Sequence, residues 1–346
     1  MALKIAINGR CFTRRITGVE RYAHEISKRM EPNPRIIMPG KILGQISGHL
    51  WEQFILPSQL KNDEVLWSPA NTSTWTIRRQ AVTIHDASVF DHPEWFRPSF
   101  AAWTRLSWKI LVKRVEAIIT VSNFSRARLK YHLGISEHKI HVTPNGVGKP
   151  FEPQTKKGIE EVRKKYSLSK PYFLFVGTHE PRKNLAGLFD AFKKLNTSTH
   201  LLIIAGEKGK VFANSAGQIA KSPQVGNLTN TQFLGYVPDS DLPALYSGAN
   251  AALIPSLYEG SALTVLEAMA CGVPVIASNT TSFPEVAEDA ALFVDPNRAE
   301  EIADAIQKII EDPHLANKLR ERGSQHAAQF TWDESAGKTQ SLLESL

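Results

Sequence analysis

The chain has 346 residues, enough for two α/β domains, and its 42% hydrophobic and 22% charged content is that of an ordinary globule rather than a disordered or fibrous chain. Its two cysteines, Cys11 and Cys271, give no disulfide framework or cysteine metal site and fit a reducing compartment. The net charge of +7 is uneven: residues 1–150 carry 22 Lys+Arg against 11 Asp+Glu, residues 151–346 carry 19 against 23, and six of the seven Trp lie in the first half. A basic, aromatic lobe suits an anionic membrane surface or a lipid-diphosphate acceptor. An idle basic face is the plain alternative, and nucleic acid is not expected, since no nucleic-acid module is present.

Strands and helices alternate along the first half. Met1 to Ile7 reads as a first strand, ended by Asn8, Gly9 and Arg10 before any signal-peptide core forms, so a cytoplasmic place is expected, with the basic first half a candidate for peripheral contact with the inner face of the plasma membrane. A loop to Gly18 leads into a helix through Tyr22, Ile26 and Met30. Residues 65–67 and 81–84 are strands, and His85-Asp86 ends the second, where open α/β sheets meet ligands. A helix over 99–115 stacks Arg105, Lys109 and Lys113 at i,i+4, near Phe100, Trp103 and Trp108; one face packs on the sheet and the basic side is a second candidate for membrane contact. Residues 117–121 form a strand, Ser122 caps the next helix, and 140–143 is a short strand. The Pro- and Lys-rich stretch 149–158 reads as a linker, which divides the chain into domains 1–155 and 156–332.

In the second half, strands at 172–176, 200–205, 231–236, 251–255, 274–277 and 290–294 alternate with helices, the last over 299–312 and 313 to about 330. The apolar run from Tyr172 to Val176 is a buried parallel strand that leads into Gly177-Thr178-His179-Glu180-Pro181-Arg182-Lys183-Asn184. Arg182 and Lys183 therefore sit at a strand's carboxyl end, one a planar fork and the other a point charge for phosphate oxygens, unless they are merely a solvated pair. Pro255 and Gly260 bracket a second loop. Ser261 is its expected helix N-cap, Leu263, Leu266 and Ala270 follow at helical spacing, and Gly272 and Pro274 stop the helix. The unpaired amides and dipole of such a helix start suit a diphosphate, and the small residues Gly260, Ser261 and Ala262 let one approach. Glu267, about one and a half turns in, suits two ribose hydroxyls, and Glu259 in the loop can reach hydroxyls of a sugar. A surface loop acid and an ordinary helix acid remain the alternative for this pair. Asp239-Ser240-Asp241 has the acid-x-acid form of a metal site, but its place between Pro238 and Leu242, Leu245 and Tyr246 is better explained by helix capping. No Gly-x-Gly-x-x-Gly follows the first strand and no Gly-x-Ser-x-Gly turn occurs, so neither an NAD enzyme nor a hydrolase is supported.

Taken together, the stretch Gly177 to Asn184, Pro255-Ser256-Leu257-Tyr258-Glu259-Gly260, and the run from Leu266 to Ser278 resemble the family 4 retaining glycosyltransferases. Thr83-Ile84-His85-Asp86, Val121-Ser122-Asn123-Phe124-Ser125 and Val142-Thr143-Pro144-Asn145-Gly146-Val147 extend the resemblance over nearly the whole chain. It implies the GT-B architecture: two Rossmann-like α/β/α domains facing each other across a cleft, with the tail of about 333–346 packing back on the first. It implies a retaining, metal-independent hexosyltransferase that needs no cofactor. The donor would be a nucleotide-diphosphate sugar, UDP-glucose before GDP-mannose, and the acceptor a glycan or lipid-linked oligosaccharide of polysaccharide biosynthesis. Arg182 and Lys183 would bind the donor diphosphate, Glu259 the donor sugar and Glu267 the ribose. Tyr236, Val237, Gly260, Ser261, Ala262 and Leu263 would line the nucleotide sugar. His85 would reach the donor sugar from the other domain, and Gly18 would face the phosphates. Ser261 and Ala262 depart from an aromatic residue and Gly, Thr178 from a frequent Arg, and Thr17 from a second Gly. A nucleotide-sugar epimerase of the same fold and a non-catalytic nucleotide-sugar sensor are the rival readings.

Overall fold

The computed structural model describes residues 4–40, 42–207 and 230–346. Residues 1–3 of the expected first strand, and most of the expected helix between the strands near 205 and 231, lie outside them. The chain divides into two units. The first holds the chain up to Asp91, Ser99–Gly146 and Thr331–Leu346; the second holds His92–Pro98 and Val147–Phe330.

The first unit is built on six parallel strands, β1 (Lys4–Asn8), β2 (Arg35–Ile37), β3 (Glu64–Ser68), β4 (Gln80–Thr83), β5 (Ala117–Thr120) and β6 (Ile140–Val142), in the order β2-β1-β3-β4-β5-β6. Both faces of such a sheet are covered, and β3, β4 and β5 are buried at every position. The chain leaves β1 toward β2 on one side and crosses to β3 on the other, so the loops after β1 and β3 flank a topological switch point. Strand β2 escapes sequence reading because it has three residues, lies at the edge, and is flanked by Pro32, Pro34 and Pro39. The helix Trp332–Glu344 packs on this unit: Trp332 lies edge-on to Tyr22 with ring centroids 6.4 Å apart, and the Ser335 hydroxyl donates to the Pro144 carbonyl at 2.6 Å. Gly146 is required there, since a Cβ would lie 2.3 Å from the Trp332 nitrogen.

The second sheet has β7 (Tyr172–Val176), β8 (Leu201–Ala205), β9 (Thr231–Gly235), β10 (Ala251–Ile254), β11 (Val275–Ser278) and β12 (Leu292–Val294), parallel and ordered β12-β11-β10-β7-β8-β9. This is the doubly wound dinucleotide-fold order, and its switch point lies between β7 and β10. Side chains of β7 alternate between two cores, as a period of two requires: Tyr172 and Leu174 join Val265, Leu266 and Met269, while Phe173 and Phe175 join Leu188, Phe189, Ile302 and Ile306. The stretch expected as a linker is part of this unit; Phe151 is buried in its core, and Thr155 caps the helix Lys156–Lys165 by accepting from the Gly158 amide. The α/β class with two Rossmann-like sheets, read from the sequence, is borne out. Among the described residues no helix is long and apolar enough to cross a membrane.

Candidate active site

The loops after β7 and β10 are bound to each other at the second switch point. The Leu257 amide donates to the Arg182 carbonyl at 2.7 Å, and the Asn184 side-chain amide donates to the carbonyls of Pro255 and Pro296 at 3.1 and 2.6 Å. Pro181–Lys183 forms a single 3-10 turn. Asn184 follows at φ +57°, a left-handed conformation that Asn tolerates, and its Oδ1 accepts from the Gly187 amide to start the helix Leu185–Leu195. At the neighbouring strand end the backbones are so close that a Cβ on Gly206, at φ +139°, would lie 1.9 Å from the Gly177 carbonyl oxygen.

This framework brings Arg182, Lys183 and Glu259 together. One Glu259 oxygen accepts from Lys183 Nζ, and the other accepts from Arg182 at 2.7 Å. Arg182 also pairs at 2.8 Å with Glu180, a buried carboxylate that accepts the Thr178 hydroxyl. Burial alone would raise the Glu259 carboxyl; the charges of Arg182 and Lys183 outweigh it and hold the group below its ordinary value. Glu259 is thus an anchor for two cations rather than a free loop acid. Both cations are therefore held in one place, each on an oxygen of the same carboxylate.

The helix after this loop runs Leu263–Ala270, and its N-cap is Ala262, not Ser261. The helix thus starts one residue later than expected: the Ala262 side chain is buried in the core, and its carbonyl takes the first helical bonds, from Val265 and Leu266. Ala262 has no polar side chain with which to cap the first turn, and Ala is a poor N-cap. Gly260 and Leu263 are buried, Ser261 is partly exposed, and Glu267 is buried within the helix. Tyr236, beyond β9, is exposed, whereas the Val237 side chain belongs to the core and offers a ligand only its backbone. Asp241 occupies the N-cap position of Leu242–Ser247 but does not cap it with its side chain, contrary to expectation; the stronger donors Lys165 and Tyr166 take it instead, both at 2.6 Å. Among the described residues no group of three His, Cys, Asp or Glu is placed to hold a metal.

His85 and Gly18 belong to the first unit. Gly18 opens the helix Gly18–Ser27, and Tyr22 of that helix meets the His85 ring edge-on, with centroids 4.8 Å apart. His85 Nε2 lies 2.8 Å from the Pro69 carbonyl oxygen. A carbonyl only accepts, so Nε2 carries the proton. Burial lowers the His85 pKa, which favours the neutral ring and leaves Nδ1 as an acceptor.

Two features escaped the sequence. Glu180 and Asn184 stood in the quoted motif without roles, although an Asn just before a helix is a turn and cap signal. The other is Glu52, buried at the first switch point. Its Oε1 accepts from Asn8 at 2.9 Å and Thr72 at 2.7 Å, and its Oε2 accepts from Arg10 at 2.6 Å with His49 at 3.3 Å. Burial, which alone would raise the Glu52 carboxyl, is outweighed by these partners, and the group is held below its ordinary value.

Two Rossmann-like units, one with an Arg182–Lys183–Glu259 cluster at its switch point, place the chain in the α/β class of paired doubly wound sheets. Residues 158–326 match the sequence profile described as "Glycosyl transferases group 1", and residues 63–148 match "Glycosyltransferase Family 4". The chain belongs to the family 4, group 1 glycosyltransferases, as the sequence motifs indicated. It is 34% identical over 267 residues to O-antigen chain mannosyltransferase B of Escherichia coli, covering 76% of this chain and 69% of that protein. It is 28% identical over 228 residues to the serotype-specific mannosyltransferase WbdA of Escherichia coli, covering 65% of this chain but only 28% of that longer protein. Its fold is similar to that of Anabaena HepE in complex with UDP and glucose, with TM-score 0.81, 17% identity, and coverage of 99% and 100% of the two chains. The epimerase reading is not favoured, since both Escherichia coli relatives are named mannosyltransferases.

Proposed function

We propose that the protein transfers a mannosyl residue, with retention and without a metal ion, from a nucleotide-diphosphate mannose to a lipid-linked glycan in surface-polysaccharide assembly. The observation that carries this reading is the convergence of Arg182 and Lys183 on Glu259 beside an uncapped helix start. As the bond from the anomeric carbon to the diphosphate breaks, negative charge grows on the leaving oxygens; two cations and the first-turn amides of Leu263–Ala270 neutralise it. Donor binding draws Arg182 and Lys183 from Glu259 to the diphosphate. The released carboxylate then accepts hydrogen bonds from sugar hydroxyls, and Glu267 accepts those of the ribose. Neutral His85 accepts a sugar hydroxyl at Nδ1.

Mannose is favoured over glucose because relatives that match most of the chain are named mannosyltransferases. UDP-glucose is the second reading, supported by the fold shared with a protein crystallised with UDP and glucose. The lipid-linked acceptor, and contact with the cytoplasmic face of a membrane, rest on the basic, Trp-rich first half. Thermal-shift measurements with GDP, UDP and their sugars, followed by transfer of labelled sugar to lipid-linked acceptor in excess EDTA, test the reading. Stabilisation by GDP-mannose, chelator-resistant transfer and a retained anomer support it. Transfer abolished by EDTA and restored by manganese, or stabilisation by no nucleotide, overturns it.

A further inference from the structure

The helical stretch between β2 and β3 has two unlike faces. Gln45–Leu50 is α-helical and Trp51–Ile55 continues it as a wider turn, closed by the Leu56 amide on the Trp51 carbonyl at 2.9 Å. Trp51 and Leu56 pack into the core with Ala6, Ile37 and Leu66, and Glu52 turns to Arg10. The opposite face is apolar and open to solvent: Ile42 and Ile46 are 79% exposed, Phe54 is 73% exposed, and Leu50 and Ile55 are exposed as well. Ile42, Ile46, Leu50 and Phe54 recur every four residues, so they form one stripe. An amphipathic helix normally turns this face to a core.

The stripe continues onto the helix Pro98–Arg114. His49 and Trp103 rings lie 5.6 Å apart, Trp103 and Trp75 lie 5.8 Å apart, and Gln53 accepts from the Trp75 amide at 2.9 Å. Trp103 and Leu106 are exposed there, and so are Lys109 and Lys113. Arg78 and Arg79, beyond Trp75, are exposed too. None of these four cations has a carboxylate partner among the described residues. Segments 35–62, 70–84 and 98–114 hold a single acidic residue, Glu52, and it is fully buried.

We infer that this face docks on an anionic lipid bilayer, with Ile46, Leu50 and Phe54 entering the interface and Arg78, Arg79, Lys109 and Lys113 meeting the headgroups. Contiguous exposed apolar area calls for a cover, and unopposed cations around it select an anionic one. A second copy of the chain fits less well, because its matching rim would bring like charges together. The inference deepens the lipid-linked acceptor of the proposed function, yet its test uses neither donor nor acceptor, so each can fail alone.

The test is co-sedimentation of the full chain with vesicles of equal parts phosphatidylglycerol and phosphatidylethanolamine, against phosphatidylcholine alone. Binding to the anionic vesicles only, weakened by high salt, is expected. The triple variant Ile46→Ser, Leu50→Ser, Phe54→Ser changes exposed side chains only. It is expected to lower the partition coefficient at least tenfold, with an unchanged melting temperature and unchanged transfer to a water-soluble acceptor. Lys109→Glu with Lys113→Glu is expected to do the same and to abolish the preference for phosphatidylglycerol. Undiminished binding by either folded variant overturns the inference. So does a wild-type dimer in sedimentation velocity that ignores vesicles and dissociates in the triple variant.

Discussion

At the first switch point Glu52 meets Asn8, Arg10, Thr72 and His49; at the second Glu259 meets Arg182 and Lys183. Both are buried carboxylates among cations at the carboxyl ends of parallel strands, yet their surroundings differ. Both Glu52 oxygens are used twice, and the side chains of Glu52 and Arg10 are 0% and 6% exposed. At the second site Arg182 and Lys183 meet on Glu259 and Arg182 also pairs with Glu180; Arg182 keeps 19% exposure, and the buried Glu180 Oε2 has no hydrogen-bond partner among the described residues. Buried polar groups are normally paired, and both Glu52 oxygens are; the second cluster, more exposed and with an unpartnered carboxylate oxygen, is the better placed of the two to receive a ligand.

The largest effect that can break this comparison is on stability. Glu52→Ala strands Arg10 in the interior without its carboxylate and is expected to cost about 3–5 kcal/mol in urea or thermal unfolding. A loss below about 1 kcal/mol would mean that the first cluster is not structural. Lys183→Ala is the converse. Glu259 keeps Arg182, so the melting temperature holds, while kcat/KM for transfer falls about 10²–10³-fold, the usual effect of removing one donor from a developing anion. Near-full turnover by the folded variant would remove the second site from the chemistry. A smaller change is expected of Glu267→Gln, which keeps the shape but removes the charge proposed to hold two ribose hydroxyls. The donor KM should rise about 10-fold or more, with kcat less affected.

The two sites were unequally legible in the sequence for a physical reason. Arg182, Lys183 and Glu259 lie in loops that follow plainly apolar strands, and a strand end in a parallel sheet is a ligand position whatever the packing. Glu52 lies between Trp51 and Gln53 in a stretch whose widened turn breaks the 3.6-residue period, so nothing in the pattern marks it as buried. Residue type favours Ser261 as N-cap, but the helix begins one residue later, after Ala262, whose side chain is buried in the core. The same limit hid the solvent-facing stripe at Ile46, Leu50 and Phe54, since a run of apolar residues does not say which of them the core accepts.

The smallest expected effect separates the units by pH. Burial lowers the His85 pKa from its ordinary 6.5, so the unfolded chain binds a proton where the folded ring does not. Its contribution to stability is therefore whole above about 6.5 and is lost as the pH falls through the folded value. Glu259, held below its ordinary 4.5 by Arg182 and Lys183 against the opposing effect of burial, contributes above that value and loses its contribution as the pH falls through its own folded one. Between those ordinary values His85 weakens the fold while Glu259 stays ionised. His24, His141, His179 and His200 are also lowered, each chiefly by burial, so the informative quantity is a difference. Wild type minus His85→Gln, followed by denaturation from pH 7.5 down to about 5, should show a decline that belongs to His85 alone. Glu259→Gln should leave that decline intact and shift only the loss at lower pH. If His85→Gln leaves the acid limb unchanged, the buried ring is not neutral, and Nδ1 is not the acceptor that the proposed sugar contact requires.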